Sequence, residues 1–169
     1  MKKTITKIFL CLIVSVFLAG CGNQKVDRET TAQSVSIANP WSDWKSLEEA
    51  ETAVGFELGI PEKIADTYVA DVFRTLNNEL LEVIYRYEDY EICVRKQKGE
   101  GEDISGDYNK YDTSAEDDFN GGKIVEYSNS NNSAVKQIIS YNGYSWSLMA
   151  PNGYHEDSND EFLNYILAK

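Results

Sequence analysis

The chain has 169 residues, enough for one domain of ordinary size, and 28 Asp+Glu against 16 Lys+Arg give it a formal charge of −12. A surface of that sign repels phosphate backbones and anionic lipid heads, which argues against nucleic-acid partners and against electrostatic adhesion to membranes. One histidine and three cysteines are too few for a zinc or iron site of ordinary composition, and no cofactor is implied.

Lys2, Lys3 and Lys7 give a basic start, and Ile8 to Leu18 is apolar throughout apart from Ser15. Eleven helical residues reach roughly 16 Å, about half of a bilayer's hydrocarbon thickness, so the stretch reads as a secretory signal peptide rather than a permanent span. Leu18-Ala19-Gly20-Cys21 then matches the lipobox of bacterial lipoproteins: a bulky residue, two small ones that thread a narrow peptidase site, and the cysteine whose thiolate takes the diacylglyceryl group. The reading is a signal peptide over 1–20 and lipidation at Cys21. Two or three acyl chains, palmitate among them, would give a near-permanent anchor at about 0.8 kcal/mol per buried CH₂. The domain then sits at the cell membrane on its extracytoplasmic face. Removing the signal leaves 13 Lys+Arg against the same 28 acids, a mature charge of −15. Cys11 leaves with the signal and Cys21 is consumed by lipid, so Cys93 is alone and no intramolecular disulfide can form.

Residues 21–38 are polar and aperiodic and read as a flexible tether; the folded domain is expected over 39–169. Ser46-Leu47-Glu48-Glu49 is a capping box, Leu47, Ala50, Ala53 and Val54 share one helical face, and Gly55 suits the left-handed cap; a helix is expected from Leu47 to Val54. The segment around Gly59-Ile60-Pro61 reads as a short extended link.

Antiparallel strands follow, at Thr67 to Leu76, Leu80 to Tyr87 and Tyr90 to Gln97, separated by Asn77-Asn78 and Glu88-Asp89. With two-residue turns, Tyr87 meets Tyr90, Tyr85 meets Ile92, Val83 meets Val94 and Val72, and Ala70 meets Tyr85. Asp71, Glu82, Arg86, Glu91 and Arg95 then point away from the apolar face. Asn142-Gly143 is a stronger hairpin signal, setting Tyr141 against Tyr144, Ile139 against Trp146 and Gln137 against Leu148, with Ser145 and Ser147 outward. Asn120-Gly121-Gly122 turns a strand containing Phe119 into Lys123 to Ser128, and the Asn-rich run from Asn129 to Asn132 makes the next turn. A last helix is capped by Ser158 and carries an apolar stripe of Phe162, Leu163, Ile166 and Leu167. The expected fold is α+β: a twisted antiparallel sheet of about six strands with both helices on one face.

The candidate chemistry is thin. His155 reads as an exposed loop residue with no nucleophile elbow to serve. Cys93 alternates with Ile92 and Val94, so it belongs on the less apolar face as a small filler. Asp103, Ser105, Asp107 and Asn109 alternate oxygen ligands around Gly106 as calcium loops do. An EF-hand frame from Asp103 fails, because Tyr108 stands where Gly is needed and Ser114 where Glu is needed. Paired carboxylates for a hydrolase between Asp103 and Asp112 are too easily found among 28 acids to count as a signal. The eleven tyrosines serve the core before any binding shelf.

Asn39-Pro40-Trp41, the run from Ser46 to Phe56, Leu80 to Tyr85, and Asp103 to Asn109 give the chain a resemblance to an uncharacterised bacterial lipoprotein family. Its extracytoplasmic domain also occurs at the C-terminus of anti-sigma-factor-like membrane proteins. The resemblance implies the same order of elements and no catalytic residues. The sequence therefore leads to a non-catalytic, lipid-anchored binding or sensing domain whose partner is an envelope protein or a small ligand. The alternatives are an acid-residue hydrolase and a weak calcium-binding module.

Overall fold

The computed structural model describes residues 39–64, 67–119, 121–129, 135–155 and 158–168. The signal, Cys21, the tether and most of the Asn129 to Asn132 turn lie outside the described residues. The elements run β1 (Trp41–Trp44), α1 (Leu47–Val54), β2 (Lys63–Ile64), β3 (Tyr68–Leu76), β4 (Leu80–Tyr87), β5 (Tyr90–Lys98), β6 (Thr113–Phe119), β7 (Gly122–Ser128), β8 (Val135–Tyr141), β9 (Tyr144–Ala150) and α2 (Ser158–Leu167). All the strands join one antiparallel sheet ordered β1-β3-β4-β5-β9-β8-β7-β6, with β2 paired to the outer edge of β3. The class is α+β, with nine strands among the described residues rather than about six. β1 and β2 escape the sequence reading because four and two residues show no usable alternation.

α1 forms as its caps dictate. The Ser46 hydroxyl accepts from the Glu49 amide at 3.3 Å, Glu49 reaches back to the Lys45 amide at 3.1 Å, and Gly55 closes the helix at φ +73°. Leu47, Ala50 and Val54 sink into the same apolar cluster as Val83, Tyr85, Ile92, Val94, Ile139, Trp146 and Leu148. From α2, Phe162 meets Tyr68 and Tyr85 edge-on at 5.7 and 5.1 Å, and Ile166 is buried beside them. Leu167 is more than one-third exposed, so the stripe on α2 is narrower than its sequence suggests. Ser158 is the first helical residue rather than the cap, its hydroxyl donating to the His155 carbonyl.

The β4–β5 and β8–β9 registers are those the turns imply: Tyr85 faces Ile92, Val83 faces Val94, and Ile139 faces Trp146. β3 departs from expectation. Its turn to β4 takes three residues, since Leu76 pairs Leu80, and Val83 consequently meets Phe73 instead of Val72. Farther along, Ala70 still pairs Tyr85, because Asp71 bulges between Ala70 and Val72. The longer turn puts Arg74 on the face opposite the helices, where it meets Glu82. The bulge returns Ala70 and Tyr68 to the helix face and leaves Asp71 outside. Each irregularity keeps a charge out of the core.

That second face is not a solvent face. β9 occupies the free edge of β5, so the connection from β5 to β6 must pass over β9, β8 and β7. Residues 99–112 make this crossing. The amides of Gly101 and Glu102 donate to the hydroxyls of Ser140 and Ser145 at 3.0 and 3.1 Å, and Ile104 is buried against the sheet. Ser145 and Ser147, expected outside, are therefore covered. Glu82 is also fully buried, one carboxylate oxygen on Arg74 Nε and the other 2.6 Å from Arg95 Nε. Trp41 lies on both guanidiniums at 4.7 and 5.4 Å. Arg95 also donates through Nη1 to the Ile104 carbonyl at 3.0 Å and to that of Ser105, tying the crossing segment to the sheet. Gly106 (φ +65°) passes so close that a Cβ there would meet the Arg95 guanidinium at 2.4 Å.

Glu82→Ala leaves two arginines facing each other in a covered site, a change expected to cost about 3–5 kcal/mol. Asp71→Ala removes only an exposed partner of Arg86 and should cost less than about 1 kcal/mol. Urea unfolding of the two variants checks the contrast; equal midpoints would show that the Glu82 cluster does not hold the crossing segment.

Candidate functional site: a cavity beside Lys96

Strand alternation sets Lys96 on the helix face of β5, opposite Leu81 on β4 and Trp146 on β9. An ammonium there needs compensation for lost water. The loop after α1 supplies it. Between Gly55 and Gly59 (φ +87°) the chain carries Phe56, Glu57 and Leu58, and the Leu58 amide is held by Glu51 Oε1 at 2.6 Å. Buried Leu58 and Ile60 anchor the loop, and the Tyr85 hydroxyl donates to the Ile60 carbonyl at 3.5 Å. Burial, reinforced by Glu62 and Glu51, pushes the Tyr85 phenol well above its usual range, so it remains a neutral donor. Two loop carbonyls, Glu57 O at 2.6 Å and Leu58 O at 3.4 Å, converge on Lys96 Nζ. The Tyr144 and Trp146 rings lie 4.3 Å from the same nitrogen and Phe56 lies 5.7 Å away. Each such ring contributes roughly 0.5–2 kcal/mol.

Beside this ammonium is a cavity of about 280 Å³, walled by Phe56, Leu58, Tyr144, Trp146, Tyr165 and Ile166. Trp146 is only 4% exposed, yet its indole Nε1–H has no acceptor among the described residues. A buried donor left unpaired costs about 1–3 kcal/mol. The lining contains one glutamate, Glu57, whose side chain is exposed, and no serine, cysteine or histidine. Such walls suit holding a molecule against aromatic rings. Lys96 carried one legible signal: it stands two residues beyond Val94, on the apolar side of β5.

The residues singled out from sequence lie elsewhere. Asp103, Ser105, Asp107 and Asn109 form a ladder of short turns on the crossing segment. Asp103 Oδ1 accepts from the Ser105 amide and hydroxyl at 3.0 and 2.6 Å, Ser105 Oγ accepts from the Asp107 amide at 3.1 Å, and Asp107 Oδ1 accepts from the Asn109 amide at 3.0 Å. Lys136 Nζ then takes Asp103 Oδ2 at 3.1 Å and the Asp107 carbonyl at 3.4 Å, with Tyr111 and Tyr127 as ring walls. The loop thus wraps a lysine cation at the place proposed for calcium. Among the described residues, no group of three His, Cys, Asp or Glu is placed to hold a metal ion.

His155 is half-buried instead of exposed, its ring edge-on to Tyr87 and Tyr90 at 4.8 and 5.4 Å and its amide donating to the Tyr68 hydroxyl at 3.1 Å. Cys93 faces Met149 and Ile84 on the covered side of the sheet. Burial, then the Glu82 carboxylate, push its thiol up to about 12. No family model, no curated protein and no solved structure matches this chain.

Two outcomes follow from these environments. At pH 8 the Cys93 thiol stays protonated, so iodoacetamide labelling of the Cys93 peptide, read by mass spectrometry, should be slow until urea is added. Rapid labelling of the folded chain would contradict the burial. For Asp103, burial alone would raise the carboxyl, but the Ser105 hydrogen bonds and the Lys136 ammonium outweigh it and hold it below the ordinary 3.8. Its stabilisation is therefore complete above pH 3.8 and fades as pH falls through the lower folded value. Asp103→Asn should flatten the acid limb of the stability–pH curve; an unchanged limb would remove Asp103 from the account.

Proposed function

We propose that this chain is a lipoprotein anchored through Cys21 on the extracytoplasmic face of the cell membrane, and that its domain senses or carries a small ligand without transforming it. The observation that carries the binding reading is the cavity of about 280 Å³ beside the Lys96 ammonium, walled by Phe56, Tyr144, Trp146 and Ile166. The anchor rests on the basic start, the short apolar run and the lipobox ending at Cys21. Among the described residues no helix is long and apolar enough to cross a membrane.

The acidic loop lends the rival readings little. Asp103 is held ionised instead of poised as an acid, with Oδ2 taken by Lys136 and Oδ1 by Ser105.

Intact-mass measurement of membrane-extracted protein tests the anchor. The expected species begins at Cys21 and carries two or three acyl chains, and Cys21→Ser moves the protein out of the membrane fraction. Recovery of an unacylated chain beginning at Met1 would overturn it.

A further inference from the structure

We infer that the cavity beside Lys96 takes an uncharged, single-ring or equally compact apolar molecule and discriminates against charged molecules of the same shape. This rests on the binding reading above and names its ligand class. Size comes first. About 280 Å³ is at the lower edge of small-molecule sites and equals roughly nine water volumes at about 30 Å³ each, which suits a molecule of about that many non-hydrogen atoms.

Charge comes second. The Lys96 ammonium is already provided for: Glu57 O and Leu58 O accept from Nζ at 2.6 and 3.4 Å, and the Tyr144 and Trp146 rings lie 4.3 Å from it. A cationic ligand would bring a second positive charge to rings that already face one, and like charges a few ångströms apart repel. An anionic ligand would have to leave water and then displace one of these groups to reach Nζ. It would do so beside Glu57, on a chain of formal charge −12. Nor does Trp146 call for a polar partner from the cavity, because its indole nitrogen is sealed inside the protein and the ring offers the cavity carbon alone. The Leu58 amide is likewise spent on Glu51 Oε1 at 2.6 Å. What the walls still offer is ring surface, the Ile166 side chain and the neutral phenols of Tyr144 and Tyr165. A neutral ring buries its carbon against them without stripping water from a charge.

Shape comes third. Phe56 and Tyr144 pack at 5.4 Å with a 59° tilt, so their rings form an angled wall. A flat ring resting on one meets the edge of the other, the arrangement aromatic pairs favour. Tyr165 and Ile166 supply the wall on the side of α2.

The test is methyl NMR of the isoleucine-labelled full chain in detergent, titrated near neutral pH with benzyl alcohol, benzoate and benzylamine. Partition into empty micelles is measured first, so that each ligand is counted at its aqueous concentration. The Ile166 methyl signals, assigned through Ile166→Val, are expected to move with benzyl alcohol at a half-saturating concentration at least about tenfold below those of benzoate and benzylamine. Tyr165→Ala removes a ring from a residue 39% exposed, and should weaken benzyl alcohol about fivefold with little change in melting temperature. Phe56→Leu keeps an apolar wall without its ring and should weaken it similarly, so one stable variant suffices. A charged ligand that binds as well as benzyl alcohol would overturn the uncharged class while leaving the cavity a binding site. No movement of Ile166 with any of the three up to about 10 mM would overturn this class and the binding reading together. Benzyl alcohol binding untouched in either variant, with normal melting, would put the ligand elsewhere and overturn the assignment.

Discussion

The pairing of β5 with β9 is the constraint on which this architecture turns. Once β9 claims that edge, the chain leaving β5 has one way to reach β6, across the face of the sheet that carries no helix. A segment crossing a sheet must satisfy its own amides and those it covers, and this one does so with serine hydroxyls, aspartate carboxylates and the Arg95 guanidinium. The two faces therefore run on different chemistry. Under the helices the contacts are apolar and aromatic; under the crossing segment they are ionic and hydrogen-bonded, centred on Glu82. Breaking the first opens a void, whereas breaking the second strands a charge.

Much of this was legible from local pattern. α1 and both of its caps follow from Ser46, Glu49 and Gly55, and the β4–β5 and β8–β9 registers follow from Glu88-Asp89 and Asn142-Gly143. What stayed hidden was long-range. Nothing near Val94 says that it will lie beside Leu148, so neither the crossing nor the burial of Glu82, Ser145 and Ser147 could be read. The β3 bulge was missed because Asn77-Asn78 suggests a two-residue turn, and Glu79 joins it. The cavity draws on the loop after α1, on β5, β9 and α2, four segments with no shared motif. Its one local clue was a lysine in an apolar register, which a reading of the mean pattern passes over.

Two lysines, Lys96 and Lys136, are almost fully buried in the same manner, each among aromatic rings with main-chain carbonyls in reach. Delocalised ring charge and carbonyl dipoles let a cation leave water without a fully buried carboxylate opposite it. The difference between them lies in what remains around the ammonium. Lys136 also has Asp103, and the crossing segment closes over it. Lys96 borders a cavity walled by aromatic rings. The same device thus ties down the crossing segment on one face and borders a cavity on the other.

The bulge at Asp71 gives one hairpin two very different tolerances to changes in length. Excising Asp71 would leave a regular ladder in which Val72 follows Ala70 and every neighbouring side chain keeps its side of the sheet. Losing Thr75 instead, with Leu76 still opposite Leu80, would set Arg74 against Leu81 and expel Phe73 from the core. Descendants of this gene that differ in size along this hairpin should carry their gap at the bulge and keep the run from Phe73 to Leu76 unbroken.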